Sequence, residues 1–192
     1  MDTLIKRSTI AAILLLIASQ ASALEFKQAQ LNESVVTFGF TIMGAPLVGT
    51  FNKFSAQISF DPANLAGAQA RIEVNVASID TGSAEGNEEV VGRQWFNAKD
   101  YPTATFVSTG LKALGGNRYQ ATGKLSIKGK TLDIATPVTF QSDGTHGAFD
   151  GAFTIKRLDY TIGEGEWTDV SSVANEIPIK FHIVVNASPS KK

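Results

Sequence analysis

Cysteine is absent from all 192 residues. Thiolate nucleophiles, disulfides and cysteine-based zinc sites are therefore excluded, and the fold must be held by burial and backbone pairing. Histidine occurs only as His146 and His182, with no repeated ligand spacing on which a metal centre could be built. An excess of either charge is lacking too. The 17 basic and 18 acidic residues give a net charge of −1, which offers nucleic acid no general electrostatic handle. There is no Gly-x-Ser-x-Gly motif and no phosphate loop. Glu164, Glu166 and Asp169 form an acidic stretch, but their spacing matches no EF-hand pattern and reads as a solvated loop. No intrinsic chemistry, metal or cofactor is expected.

One long apolar run is present, and it lies at the N-terminus. Lys6 and Arg7 precede an apolar stretch at 10–18, and Ala21-Ser22-Ala23 supplies a small-x-small cleavage site. Residues 1–23 read as a secretory signal peptide cut after Ala23, because the run is shorter than the ~20 residues of a membrane span. Cleavage leaves 169 residues, the size of one domain (24–192), and removal of Asp2, Lys6 and Arg7 takes the net charge to −2. The expected compartment is the periplasm.

The rest of the chain alternates. Val36, Phe38, Phe40 and Ile42 share one parity; so do Ala70, Ile72, Val74 and Val76; so do Tyr119, Ala121, Gly123, Leu125 and Ile127. Leu132, Ile134, Val138 and Phe140 follow, then Phe149, Gly151, Phe153, Ile155 and Arg157, and finally Ile177, Ile179, Phe181, Ile183 and Val185. With Phe54, Ala56, Ile58 and Phe60 on one face, and Ala104 and Phe106 on another, these eight stretches describe half-buried strands of an all-β antiparallel fold. A break in parity between Phe51 and Phe54 places a bulge or bend near Asn52, and Pro137 marks an edge, a bulge or the end of pairing. A single short helix is expected at 87–96, capped by Asn87 and packed through Val91 and Trp95. The tail at 187–192 reads as frayed.

In a closed barrel of about eight strands the inward side chains either fill the interior or leave room for one small ligand. Alternation alone favours a filled core, since sandwiches and filled barrels show the same pattern. Small residues at inward positions, such as Ala104, Ala121, Gly123 and Gly151, would leave space beside the large rings. Arg157 has inward parity at a strand end, where it would pair with Asp159 or another acid, anchor a ligand head group at the barrel mouth, or do both.

An ordered set of short motifs runs through the mature chain: Gly49-Thr50-Phe51, Phe60-Asp61, Ser78-Ile79-Asp80-Thr81-Gly82, Trp95-Phe96-Asn97 and Tyr101-Pro102-x-Ala104-Thr105-Phe106-x-Ser108. It continues with Gly123-Lys124-Leu125-Ser126-Ile127-Lys128-Gly129 and Arg157-x-Asp159-Tyr160-x-Ile162-Gly163. In this the chain resembles the YceI family of exported proteins. The resemblance implies a lipocalin-like eight-stranded antiparallel barrel with a short helix packed against it. It also implies an interior that binds a polyisoprenoid, a quinone tail or another lipid. Combined with strand parity, it designates Phe38, Phe40, Phe51, Phe106, Leu125, Ile127, Phe140, Phe153, Ile155, Arg157 and Phe181 as ligand-binding residues. The run Gly163-Glu164-Gly165-Glu166-Trp167-Thr168-Asp169 is similar to the branch found beside, or fused to, cytochrome b561-type membrane domains. That implies a transient membrane or cytochrome b561-type partner; a homodimer is left open.

Overall fold

The computed structural model describes residues 24–189. The expected signal peptide, residues 1–23, lies outside the described residues, as do 190–192. The elements are β1 (Leu24–Ala29), β2 (Val35–Ile42), β3 (Ala45–Phe51), β4 (Phe54–Phe60), β5 (Gln69–Asn75) and β6 (Ile79–Asp80). After them come α1 (Ala84–Val91), β7 (Thr103–Gly115), β8 (Arg118–Ile127), β9 (Lys130–Ser142), β10 (His146–Lys156) and β11 (Glu176–Pro189).

The strands β1-β4-β5-β7-β8-β9-β10-β11 form an antiparallel sheet that closes through β1–β11 pairing, a barrel of eight strands. The long last strand makes closure possible. Its residues 185–189 pair with β1, while residues 179–182 pair with β2. The β1 end is called upper below, and the α1 end lower. At the lower end β2, β3 and β6 extend the wall. The interruption between β3 and β4 falls at Asn52–Lys53, where the parity of the phenylalanines breaks. Ser78 absorbs it: its carbonyl accepts from Asn52 N at 3.0 Å and its hydroxyl from Lys53 N at 2.9 Å.

Two elements differ from the sequence expectation. The helix starts earlier, capped by Ser83, whose hydroxyl accepts from Gly86 N at 3.2 Å. Asn87 instead sits inside the helix and accepts from Thr81 N at 2.7 Å, so it ties the helix to the preceding turn rather than capping it. Trp95 lies past the helix end and is buried. The start of the tail is also ordered: Ala187 pairs with Phe26 and Pro189 with Leu24. Strand β1 escaped notice because Leu-Glu-Phe-Lys-Gln-Ala carries only one large inward residue.

Pro137 marks an end of pairing. It stands opposite Gln120 of β8, but β10 joins β9 only from Val138 upward, through Val138–Gly151 to Ser142–Gly147. Below that point β9 and β10 run on without pairing to each other.

The apolar faces meet in two clusters. The upper one gathers Phe26, Phe60, Tyr119, Phe140 and Phe149, with the Phe60 centroid 4.7 Å from Phe140, 5.1 Å from Phe149 and 5.5 Å from Tyr119. The lower one gathers Trp95, Leu125, Ile127, Ile155, Tyr160, Ile162 and Val173. Among the described residues, no helix is long and apolar enough to cross a membrane.

Candidate functional site: an apolar cavity between two plugs

Between the upper and lower clusters the barrel is hollow. The cavity has a volume of about 220 Å³, many times the ~10–15 Å³ that a single water requires on the same measure. Its wall is built by the alternation itself, since every second residue of each strand points inward. Val36 and Phe38 come from β2, Ile72 and Val74 from β5, Phe106 and Leu111 from β7, Ile134 from β9, and Ile177, Ile179 and Phe181 from β11. No charged side chain contributes to the wall among the described residues. The buried hydroxyl of Thr136 is satisfied by carbonyls, with Ala152 O and Pro137 O each at 3.2 Å, and Ser108 Oγ accepts from Ala70 N at 2.8 Å. The surface left for an occupant is therefore apolar, and it offers dispersion contact rather than directional recognition.

The inward glycines do not leave the room expected of them. A Cβ on Gly123 would collide with the Phe106 ring and come within 2.6 Å of Val107 O; on Gly151 it would collide with the Phe181 ring. These glycines admit rings laid flat across the strand beside them, a known device for covering glycine in sheets. The hollow comes instead from the breadth of the barrel and from modest residues such as Ala70, Ala104 and Ala121.

Eight of the eleven residues singled out from the sequence line this cavity: Phe38, Phe51, Phe106, Leu125, Ile127, Phe153, Ile155 and Phe181. Three do not. Phe40 lies below Ile179–Phe38, the last β11–β2 pair, and stacks on Phe38 at 5.6 Å instead of facing the hollow. Phe140 is part of the upper plug, 4.9 Å from Phe26, because β1 carries Phe26 across the barrel end. Arg157 is neither at a mouth nor paired with an acid. It is 1% exposed and lies in a short 3-10 turn that begins where β10 ends. Its five hydrogen bonds all run to backbone carbonyls: Nε to Ala174 O, Nη1 to Ile162 O and Gly163 O, and Nη2 to Trp167 O and Val173 O. A guanidinium has five N–H donors, so none is left for a ligand. Burial lowers its pKa, and Cζ lies 5.5 Å from the centre of the Trp95 ring. Arg157 is the tie that knits the loops of the lower plug together.

Sequence reasoning passed over the aliphatic half of the wall, notably Val36, Ile58, Ile72, Val74, Ile134, Ile177 and Ile179. Their alternation was as clear as that of the phenylalanines.

The polar groups elsewhere do not converge. His182 Nδ1 meets Asp150 Oδ1 at 2.7 Å on the outer face, and exposed His146 is the first residue of β10. Hydrogen bonds from the backbone of His146 and Thr145 lower the pKa of Asp143. Lys128 Nζ lies 2.7 Å from Glu164, whose carboxyl it holds below the usual range, and Asp169 bonds Ser171. Tyr160, in the lower plug, is pushed up to about 12 by burial and then by Asp159. Among the described residues no group of three or more acids and histidines could hold a metal ion.

Comparison with known proteins agrees with this architecture. The chain is 46% identical to BcnA of Burkholderia cenocepacia, whose crystal structure superposes with a TM-score of 0.80 over 82% of this chain and 99% of that one. A UPF0312 protein of Ectopseudomonas mendocina (strain ymp) is 31% identical over 169 residues, 81% of this chain and 87% of the relative. The structure of a polyisoprenoid binding domain from Saccharophagus degradans, implicated in plant cell wall breakdown, shares the fold with a TM-score of 0.65 at 17% identity, over 86% of this chain and 99% of that one. A YceI-like domain matches residues 24–185, essentially the whole barrel, and the chain belongs to the YceI family.

Proposed function

We propose that this protein is exported to the periplasm and carries a long-chain apolar ligand, a polyisoprenoid, a quinone or a related lipid, in the barrel interior for sequestration or transport. The observation that carries this reading is a large cavity, walled by apolar side chains without a charged group, inside an otherwise well-packed barrel. Protein interiors are close-packed, so a hollow of this size is costly unless something fills it. Each buried methylene contributes about 0.8 kcal/mol, so ten carbons of a tail contribute on the order of 8 kcal/mol before ordering costs, roughly micromolar affinity with no polar contact at all. A polar head has no partner in the wall and is expected to stay in solvent. Such a ligand originates in a membrane, which makes a transient membrane or cytochrome b561-type partner the class of donor or acceptor that fits. Catalysis plays no part in this reading.

The test is organic extraction of protein purified without detergent, followed by mass spectrometry. A near-stoichiometric long-chain amphiphile is expected. Repeated absence of any amphiphile, with no uptake when candidates are added back, would leave a structural module with a dry interior. Turnover of the bound molecule that depends on His146 or Glu166 would make the protein an enzyme.

A further inference from the structure

The two clusters pack against the cavity above and below, so a gap in the wall between them is a direct way in for a ligand. The sheet itself offers one. Strands β9 and β10 pair only between Val138–Gly151 and Ser142–Gly147. Below them, residues 130–137 of β9 pair with β8 alone, and residues 152–156 of β10 pair with β11 alone. The two strands therefore bound a wedge in the barrel wall. At its apex one side-chain group stands in for the missing ladder: the Thr136 hydroxyl, on a residue only 3% exposed, lies 3.2 Å from Ala152 O across the gap and 3.2 Å from Pro137 O on its own strand. At its lower end Lys128 Nζ donates to Thr161 O at 2.7 Å.

Inward burial is lost only toward the lower end of β9. Phe140, Val138, Thr136 and Ile134 have inward parity and are buried or nearly so. Leu132 and Lys130 share that parity, yet Leu132 is 38% exposed and Lys130 is exposed. These two residues lie at the foot of the β8–β9 hairpin, where β10 has ended at Lys156 and no longer flanks β9. Directly inside the wedge lie Ile134, Thr136, Phe153 and Ile155, all members of the cavity wall.

We infer that the wedge between the lower halves of β9 and β10 is the passage by which an apolar ligand enters and leaves the cavity, with the Thr136 hydroxyl as the latch at its apex. The inference rests on the ligand-binding reading above. Opening there breaks at most one side-chain bond between the two strands, whereas opening where strands are continuously paired would break a run of backbone bonds, so the wedge is a cheap route.

The absence of native cysteine makes a clean test available. Leu132→Cys places a single thiol in the wedge. Leu114→Cys, at a position 47% exposed on β7 and outside the cavity wall, is the control. Each variant, delipidated, is labelled with fluorescein maleimide or left unlabelled. Association and dissociation of the apolar probe N-phenyl-1-naphthylamine are then followed by stopped flow beside equilibrium titration. A blocked passage slows entry and exit alike. The adduct at position 132 should therefore slow both rates by roughly tenfold or more while Kd moves by less than about threefold. The adduct at 114 should change neither rate. Thr136→Val, which removes the latch and keeps the side-chain volume, should raise both rates. Unchanged rates in the labelled Leu132→Cys variant with normal affinity, or slowing by the adduct at 114 instead, would overturn the passage and leave the binding reading intact. Failure of the unlabelled protein to bind the probe at any concentration would overturn both.

Discussion

Truncating Phe153 to alanine separates a ligand cavity from a solid core, and Phe140 supplies the reference. Phe140 is 5% exposed, lies outside the cavity wall, and its ring meets Phe26, Phe60 and Phe149 at 4.7–4.9 Å between centroids. Phe140→Ala removes a packed ring and should cost about 3 to 5 kcal/mol of stability. Phe153 is only partly buried and faces the hollow with one side of its ring. That side has no protein partner to lose, and the space vacated adds to a cavity already present. The ligand-free loss should thus be about 1 to 2 kcal/mol, the transfer energy of a half-packed ring. Affinity should behave in the opposite way. If the ring covers two methylenes of a bound tail, its loss weakens binding by about 1.6 kcal/mol, roughly tenfold. Denaturant unfolding of delipidated wild type and both variants gives the first quantity, and titration with N-phenyl-1-naphthylamine gives the second. A Phe153→Ala loss as large as that of Phe140→Ala, with unchanged probe affinity, would refute the reasoning.

Three further outcomes are expected. Arg157→Lys keeps the charge but has three donors for five carbonyls, so two are left bare at roughly 1 to 3 kcal/mol each, and thermal and denaturant unfolding should show a loss of about 2 to 6 kcal/mol. The Tyr160 hydroxyl titrates at about 12 in the folded chain against 10.0 as its ordinary value. Between those values the unfolded state has lost its proton and the folded state keeps it, so the stability present below pH 10 should fall by about 2 to 3 kcal/mol up to pH 12. Tyr160→Phe should flatten that part of the profile, and an unaltered slope would reject the assignment. N-terminal sequencing of the exported protein should begin at Leu24, the first residue of β1; an uncleaved chain would contradict export with processing.

Much of this molecule was legible because the side-chain period of a strand is two and the interior enforces it. Arrays such as Ile177, Ile179, Phe181 and Ile183 declare their face without reference to any other strand. What stayed hidden depends on partners distant in sequence. Strand β1 is recognisable only through β11, whose residues 185–189 wait for it. The inward glycines suggested empty space because sequence does not say which ring lies across them. Arg157 kept its parity on paper, but the strand ends at Lys156 and the chain turns, so its side chain meets five carbonyls from loops instead of the barrel mouth. The helix moved because Ser83 offers the same capping hydrogen bond as Asn87, one turn earlier. Phenylalanine drew attention away from isoleucine and valine, although both line the same wall.

The central claim, that a long apolar ligand occupies the hollow between the two plugs, is tested most directly by methyl NMR of delipidated protein carrying labelled isoleucine. The isoleucines divide cleanly: Ile72, Ile134, Ile177 and Ile179 face the cavity, whereas Ile42 and Ile162 do not. On titration with farnesol, a neutral isoprenoid, the cavity methyls should shift and show nuclear Overhauser effects to the ligand, while Ile42 and Ile162 stay unchanged. Contact confined to Ile42, or a cavity set that remains unmoved at saturating farnesol, would contradict the account.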